Sequence, residues 1–205
     1  MRGTGNYDGR TSDRYLLHHS GELSVPLLHI HGKGKRSAKA LLWVSTSGKA
    51  NAGSWPAIMA LAGPDREVLS FDFRGQGEDR MQYHAASVDK SVPSDFDQFY
   101  ANPFWGVLAN YVYNSLLIGR PYLLQMIEDA EIVSRFVREK LQLNELSIDA
   151  PEEDQTLVSA IAGCIPALES NPRHSVGLPP WGMIVEQRRE LWPLHYLLPG
   201  GAYVR

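Results

Sequence analysis

Apolar residues in this chain fall into short dense runs, divided by glycine, proline and polar clusters, and their spacing switches between two periods. Tyr15 to His18 and Ser24 to His31 read as two short strands around the turn Ser20-Gly21-Glu22. Ala38 to Val44 is denser, with Leu41, Leu42, Trp43 and Val44 in succession, and predicts an interior strand. It opens into a loop of small residues, Ser45-Thr46-Ser47-Gly48-Lys49-Ala50. From Ser54 to Ala62 the period becomes helical through Trp55, Ile58, Met59 and Ala62. Gly63 and Pro64 end that helix, since glycine caps it and proline cannot continue it. Glu67 to Phe73 is again a strand. A strand, loop, helix and strand so closely spaced form a crossover, which implies a parallel sheet with helices on its faces.

The second half alternates more loosely. Arg80 to Asn102 is polar and irregular, and the chain then turns aromatic through Phe99, Tyr100, Phe104, Trp105, Tyr111 and Tyr113. Those rings either line a groove or dimer face, or pack a lid segment on the sheet. Pro121 to Leu141 predicts the clearest helix, with Leu124 and Ile127 on an apolar stripe and Glu128, Glu131, Arg135 and Arg138 on a charged face. Glu131 and Arg135 form an i,i+4 pair in the favourable order. Glu145 to Ala150 predicts a short strand, and Gln155 to Glu169 an apolar helix in which Cys164 is a small buried hydrophobe. The tail from Pro179, with Trp181, Trp192 and Pro199-Gly200-Gly201, reads as mixed helix and loop.

Composition narrows the function classes. The 205 residues are 43% apolar, which suits a folded domain with a sizeable core. No apolar stretch approaches a membrane span. A formal charge of −3 supplies no basic field for nucleic acid, and Lys33 to Arg36, set among Gly32, Gly34 and Ser37, reads as a hairpin turn. With Cys164 as the single cysteine, neither an intrachain disulfide nor a cysteine-rich metal site is possible. The polar N-terminal stretch lacks the apolar segment of a signal peptide, so a cytoplasmic location is expected. His29 and His31 share one strand face, but the spacing supplies no third ligand, and neither metal nor cofactor is expected. His18, His19, His84, His174 and His195 sit in strand-end, loop or aromatic settings with no base role.

The segment Phe71-Asp72-Phe73-Arg74-Gly75-Gln76-Gly77 resembles the Asp-x-Arg-Gly-x-Gly turn that follows a parallel strand in the α/β-hydrolases. Gly75 and Gly77 permit a sharp reversal, while Asp72 and Arg74 can tie the turn through charge-assisted bonds. A second stretch, Gly119-Arg120-Pro121 followed by Gln125, Glu128 and Asp129, is similar to the segment before the nucleophile in the acetyl-xylan-esterase-like and bacterial glucuronoyl-esterase-like branch. Leu191 to Gly200 resembles the approach to that branch's acid-bearing loop. The resemblance implies an incomplete α/β-hydrolase-like, mostly parallel sheet flanked by helices. Residues 1–205 then form a single domain cut short at its C-terminus.

The departures from the pattern bear on activity. These enzymes carry a serine in a Gly-x-Ser-x-Gly elbow, and this sequence contains none. Carrying the pattern over puts Ala150 at the first glycine, Glu152 at the serine and Asp154 at the second glycine. A carboxylate at Glu152 can act as a covalent nucleophile, as in dehalogenase relatives of the fold. Equally, Asp149, Glu152, Glu153 and Asp154 are favoured near a helix start by the dipole alone. The loop of Thr46, Ser47 and Gly48 occupies the place where the fold supplies an oxyanion-binding amide. The resemblance therefore implies a carboxylic-ester hydrolase by descent that is inactive as this chain. The alternatives are an interaction module on the degenerate fold, or an active hydrolase completed by a partner chain. A homo-oligomer or partner chain covering the sheet is expected, with a small-molecule ester as ligand if the protein is active, and neither nucleic acid nor membrane.

Overall fold

The computed structural model describes residues 3–18, 21, 24–33, 37–80 and 106–170. His19, His84, His174, His195, most of the Lys33–Arg36 run, Phe99, Tyr100, Phe104, Trp105 and everything from Asn171 onward lie outside the described residues. The chain divides into two compact units, residues 1–79 with 126–178, and residues 80–125 with 179–205.

The first unit is built on one seven-stranded sheet, with strands β1 (Gly3–Tyr7), β2 (Arg10–Leu17), β3 (Val25–His31), β4 (Lys39–Val44), β5 (Glu67–Phe71), β6 (Glu145–Asp149) and β7 (Glu169–Ser170). Their order is β1-β2-β3-β5-β4-β6-β7. The first three strands and the β3–β5 junction are antiparallel, and β5-β4-β6-β7 run parallel. Strand β1 is not in the sequence reading, because its residues are polar and mostly exposed. Its signal is Asp8-Gly9, both at positive φ (45° and 74°), the geometry of the two-residue turn that matches strand twist.

The central strands are apolar on both faces, as a parallel sheet between helices requires. Leu28, Ile30, Leu41, Trp43 and Val68 face one way and close with Ile58 and Ala62 into a buried cluster. Ile58 lies on α1 (Trp55–Leu61), which carries a proline in its first turn and ends at Ala62 before Gly63 and Pro64, as predicted. A second helix, α3 (Tyr122–Lys140), buries Met126, Ala130, Val133 and Val137, and its Phe136 ring packs 5.0 Å from Tyr15 of β2. The stripe is rotated from the predicted one: Leu124 is 41% exposed, because the helix is oriented by its longer run of buried residues. The Glu131–Arg135 pair forms on its exposed face at 3.0 Å. Helix α4 (Gln155–Cys164) is shorter than predicted, since Pro166 cannot continue it. Cys164 ends the helix exposed, which corrects its expected burial.

In the second unit the described residues form α2 (Val107–Leu117) and the turn into the start of α3. Tyr111 contributes to that helix and packs edge-on against Tyr122, ring centroids 5.5 Å apart, while Tyr113 is half exposed. Gly119 takes φ +74° to end α2, and the amide of Arg120 bonds the Ser115 carbonyl at 2.9 Å. The Gly-Arg-Pro segment is thus a helix-to-helix turn, held by Gln125 Nε2 donating to the Arg120 carbonyl at 2.6 Å. Among the described residues, no helix is long and apolar enough to cross a membrane.

Candidate functional site

Three loops leave the C-terminal ends of the parallel strands in the first unit: Ser45–Lys49 after β4, Asp72–Gly77 after β5 and Ala150–Asp154 after β6. In sheets of this kind ligands bind at those ends.

Asp72 organises the first two loops. Its Oδ1 accepts the Lys49 amide at 2.6 Å, its Oδ2 accepts Lys49 Nζ at 2.5 Å and the Glu78 amide at 3.0 Å, and the carboxylate is buried. Lys49 Nζ also meets Glu78 Oε1 at 2.7 Å. Gly77 sits at φ +55° with the Asp72 carboxylate where its Cβ would be, so only glycine fits. Arg74 forks onto Asp129 of α3, with Nε 3.0 Å from Oδ1, and its own amide donates to Oδ2 at 2.9 Å. Glu128 adds a contact at 3.5 Å. The two stretches that carry the family resemblance, distant in sequence, are therefore tied together by a buried ion pair. Asp72 ties its own turn through the Glu78 amide and also holds Lys49 of the neighbouring loop, while the bonds of Arg74 to Asp129 reach another element. Lys49 was not singled out in the sequence, where it is one cation in a loop of small residues.

The third loop is joined to the first by a single side chain. Asp154, buried, accepts the Thr46 amide on Oδ2 at 2.9 Å and the Thr46 hydroxyl on Oδ1 at 2.8 Å. The Ser47 amide donates to Ser45 Oγ at 3.2 Å, and the Gly48 amide to the Ser45 carbonyl at 3.2 Å. The Thr46, Ser47 and Gly48 amides are thus each engaged with an acceptor of the chain itself.

Glu152 begins a short 3-10 turn, Glu152–Asp154, and is exposed, as is Glu153. No residue from 150 to 154 has positive φ, so the strain that presents an elbow nucleophile is absent. Gln155 Nε2 closes the turn on the Ala150 carbonyl at 2.7 Å and on Asp149 Oδ1 at 3.0 Å. Ser159 lies inside α4 and donates to the Gln155 carbonyl at 3.1 Å. Of the described histidines, His18 bonds Ser24 Oγ, while His29 and His31 lie towards the opposite ends of the parallel strands. A cavity of about 640 Å³ in the first unit is lined by Tyr7, Arg14, Lys49, Trp55 and Glu78 among others, and Glu152 is not one of its described lining residues.

Burial raises the Asp154 carboxyl above its ordinary range, with the two Thr46 bonds opposing. A raised value means that the folded state holds this proton more tightly than the unfolded chain. Its contribution to stability is present below the ordinary carboxylate range and is lost as pH rises through the raised value. Asp154→Asn, which keeps both an acceptor for the amide and a partner for the hydroxyl, removes that titration. Melting temperatures across pH 4 to 8 should therefore show the variant gaining on the wild type as pH rises. A difference that is flat, or that moves the other way, contradicts the assignment.

No family model matches this chain, and no curated protein matches it. Solved structures do. A PEG-bound cold-adapted esterase from an Arctic intertidal metagenomic library superposes with a TM-score of 0.55 at 12% identity, covering 82% of this chain and 62% of that one. Acetyl xylan esterase from Paenibacillus sp. R4 gives 0.51 at 17% identity, over 83% of this chain and 51% of its own. Acetyl xylan esterase 1 from Thermoanaerobacterium sp. JW/SL YS485 gives 0.52 at 13%, over 82% and 49%. The fold is α/β-hydrolase-like. At these identities the likeness describes the fold alone, and the chain spans 49–62% of those structures' lengths. The Asp72–Gly77 turn follows β5 and the Ala150–Asp154 loop follows β6 at the same end of the parallel strands.

Proposed function

We propose that this chain is an α/β-hydrolase homologue, resembling the acetyl-xylan-esterase-like and bacterial glucuronoyl-esterase-like branch, that does not hydrolyse esters. The branch assignment is supported by the Arg74–Asp129 tie between the two resembling stretches and by the likeness to acetyl xylan esterases. The loss of hydrolysis rests above all on one observation: Asp154, at the place of the elbow's second glycine, holds the Thr46 amide. An oxyanion site works because its donors are preorganised and unspent before the reaction. Here a carboxylate of the protein already occupies the first of them, and the position of the nucleophile is an exposed glutamate on an unstrained turn. Serine-reactive fluorophosphonate should therefore leave the intact mass of the folded protein unchanged. A single stoichiometric adduct would overturn the reading.

A further inference from the structure

The chemistry above uses none of the polar cluster at the other end of the sheet. Asp13 of β2 and His29 of β3 are paired directly in register, and His31 follows His29 on the same face by the strand's period of two. One ligand atom from each of the three lies within 4.8 Å of the others. His31 Nε2 stands 3.5 Å from Asp13 Oδ2. The third ligand that the histidine spacing could not supply thus comes from the neighbouring strand.

The surroundings set the ring tautomers. His31 Nδ1 lies 3.0 Å from the Gly32 carbonyl, which only accepts, so Nδ1 carries the proton and the neutral ring keeps its lone pair on Nε2. That Nε2 atom is buried with no hydrogen-bond partner among the described residues. His29 Nε2 lies 2.6 Å from Glu67 Oε2, a carboxylate that only accepts, so Nε2 carries the proton and donates it in the hydrogen bond, and the neutral ring keeps its lone pair on Nδ1. Glu67 is fixed by the Ser37 amide on its other oxygen at 3.2 Å. Asp13 is held by Thr4 Oγ1 at 2.8 Å and by the Tyr15 hydroxyl at 3.3 Å.

We propose that Asp13, His29 and His31 bind one divalent cation of the zinc class. Two imidazoles and a carboxylate are a donor set that suits this ion. Bond lengths of about 2.0–2.2 Å in a tetrahedral shell place neighbouring ligand atoms roughly 3.3–3.5 Å apart, and the His31–Asp13 pair already has that separation. Glu67 behind His29 and the Gly32 carbonyl behind His31 are the outer contacts that orient ligating imidazoles. Two buried carboxylates, Asp13 and Glu67, also call for compensating positive charge, which a divalent ion supplies. The ion joins β2 to β3, with β5 in its outer shell through Glu67. Protonation of both imidazoles supplies the same charge, so the test has to separate a metal from two protons.

The test uses the whole chain after chelator treatment, titrated with Co²⁺ and then Zn²⁺. One Co²⁺ should bind with visible ligand-field bands of a low-coordinate nitrogen and oxygen site, and Zn²⁺ should displace it. Affinity should fall in acid, because protons compete for the ligands. His31→Ala, at the half-buried end of β3, should weaken binding by about 100-fold or more, and the positioning variant Glu67→Gln by about 10–100-fold. His18→Ala, on the exposed Ser24 contact, should leave binding unchanged. Absence of ligand-field bands in the wild type, or equal affinity in wild type and His31→Ala, overturns the site. If His31→Ala does not fold, X-ray absorption of the zinc-loaded wild type decides: imidazole scattering supports the site, and oxygen-only coordination overturns it.

Discussion

Replacing Asp129 with alanine is expected to lower the unfolding free energy by about 3–5 kcal/mol, the cost of leaving a buried charge without its main partner. Arg74 is held at 3% side-chain exposure and Asp129 at 0%, so water cannot replace the lost carboxylate. Glu128, 3.5 Å away and half exposed, recovers only part of the interaction. Because the pair joins the turn after β5 to helix α3, its loss should loosen both elements together. Urea unfolding of the variant measures the effect. A change below about 1 kcal/mol would mean that the pair behaves as an exposed one.

Gly77→Ala should be of similar size, roughly 3–5 kcal/mol, from two sources that act together. A non-glycine residue in the left-handed region costs about 1–2 kcal/mol. The new Cβ would also land on the Asp72 carboxylate, which must move and release the Lys49 amide, Lys49 Nζ and the Glu78 amide. Buried polar groups that lose their partners cost about 1–3 kcal/mol each. Gly63→Ala is the control, since nothing lies within 4 Å of a Cβ there. Thermal melts of the two variants should differ sharply; equal melts would show that Asp72 is not fixed as described.

Where local signals were strong, the sequence carried the fold. The crossover of β4, α1 and β5 was legible because dense apolar runs, a helical period and Gly63-Pro64 all agree. Strand β1 was missed because its polar residues hide a period, although Asp8-Gly9 is a hairpin signal in plain view. Helix α2 lies in an aromatic stretch, where Tyr111 and Tyr113 mask the helical spacing of Ala109, Val112 and Ser115, which are buried. The site was less legible than the fold. The missing serine can be read from residues alone, whereas the Thr46–Asp154 bond joins positions 108 apart and exists only through the sheet. Asp13 entered the histidine cluster for the same reason. A strand pairing, fixed by turns that the sequence reading placed loosely, decides which acid faces which ring.

Turnover of short-chain p-nitrophenyl esters by the folded protein tests the central claim most directly. With the Thr46, Ser47 and Gly48 amides engaged internally and Glu152 on an exposed turn, the rate should equal that of buffer at every substrate concentration. A saturable rate that a serine-reactive inhibitor abolishes would contradict the account.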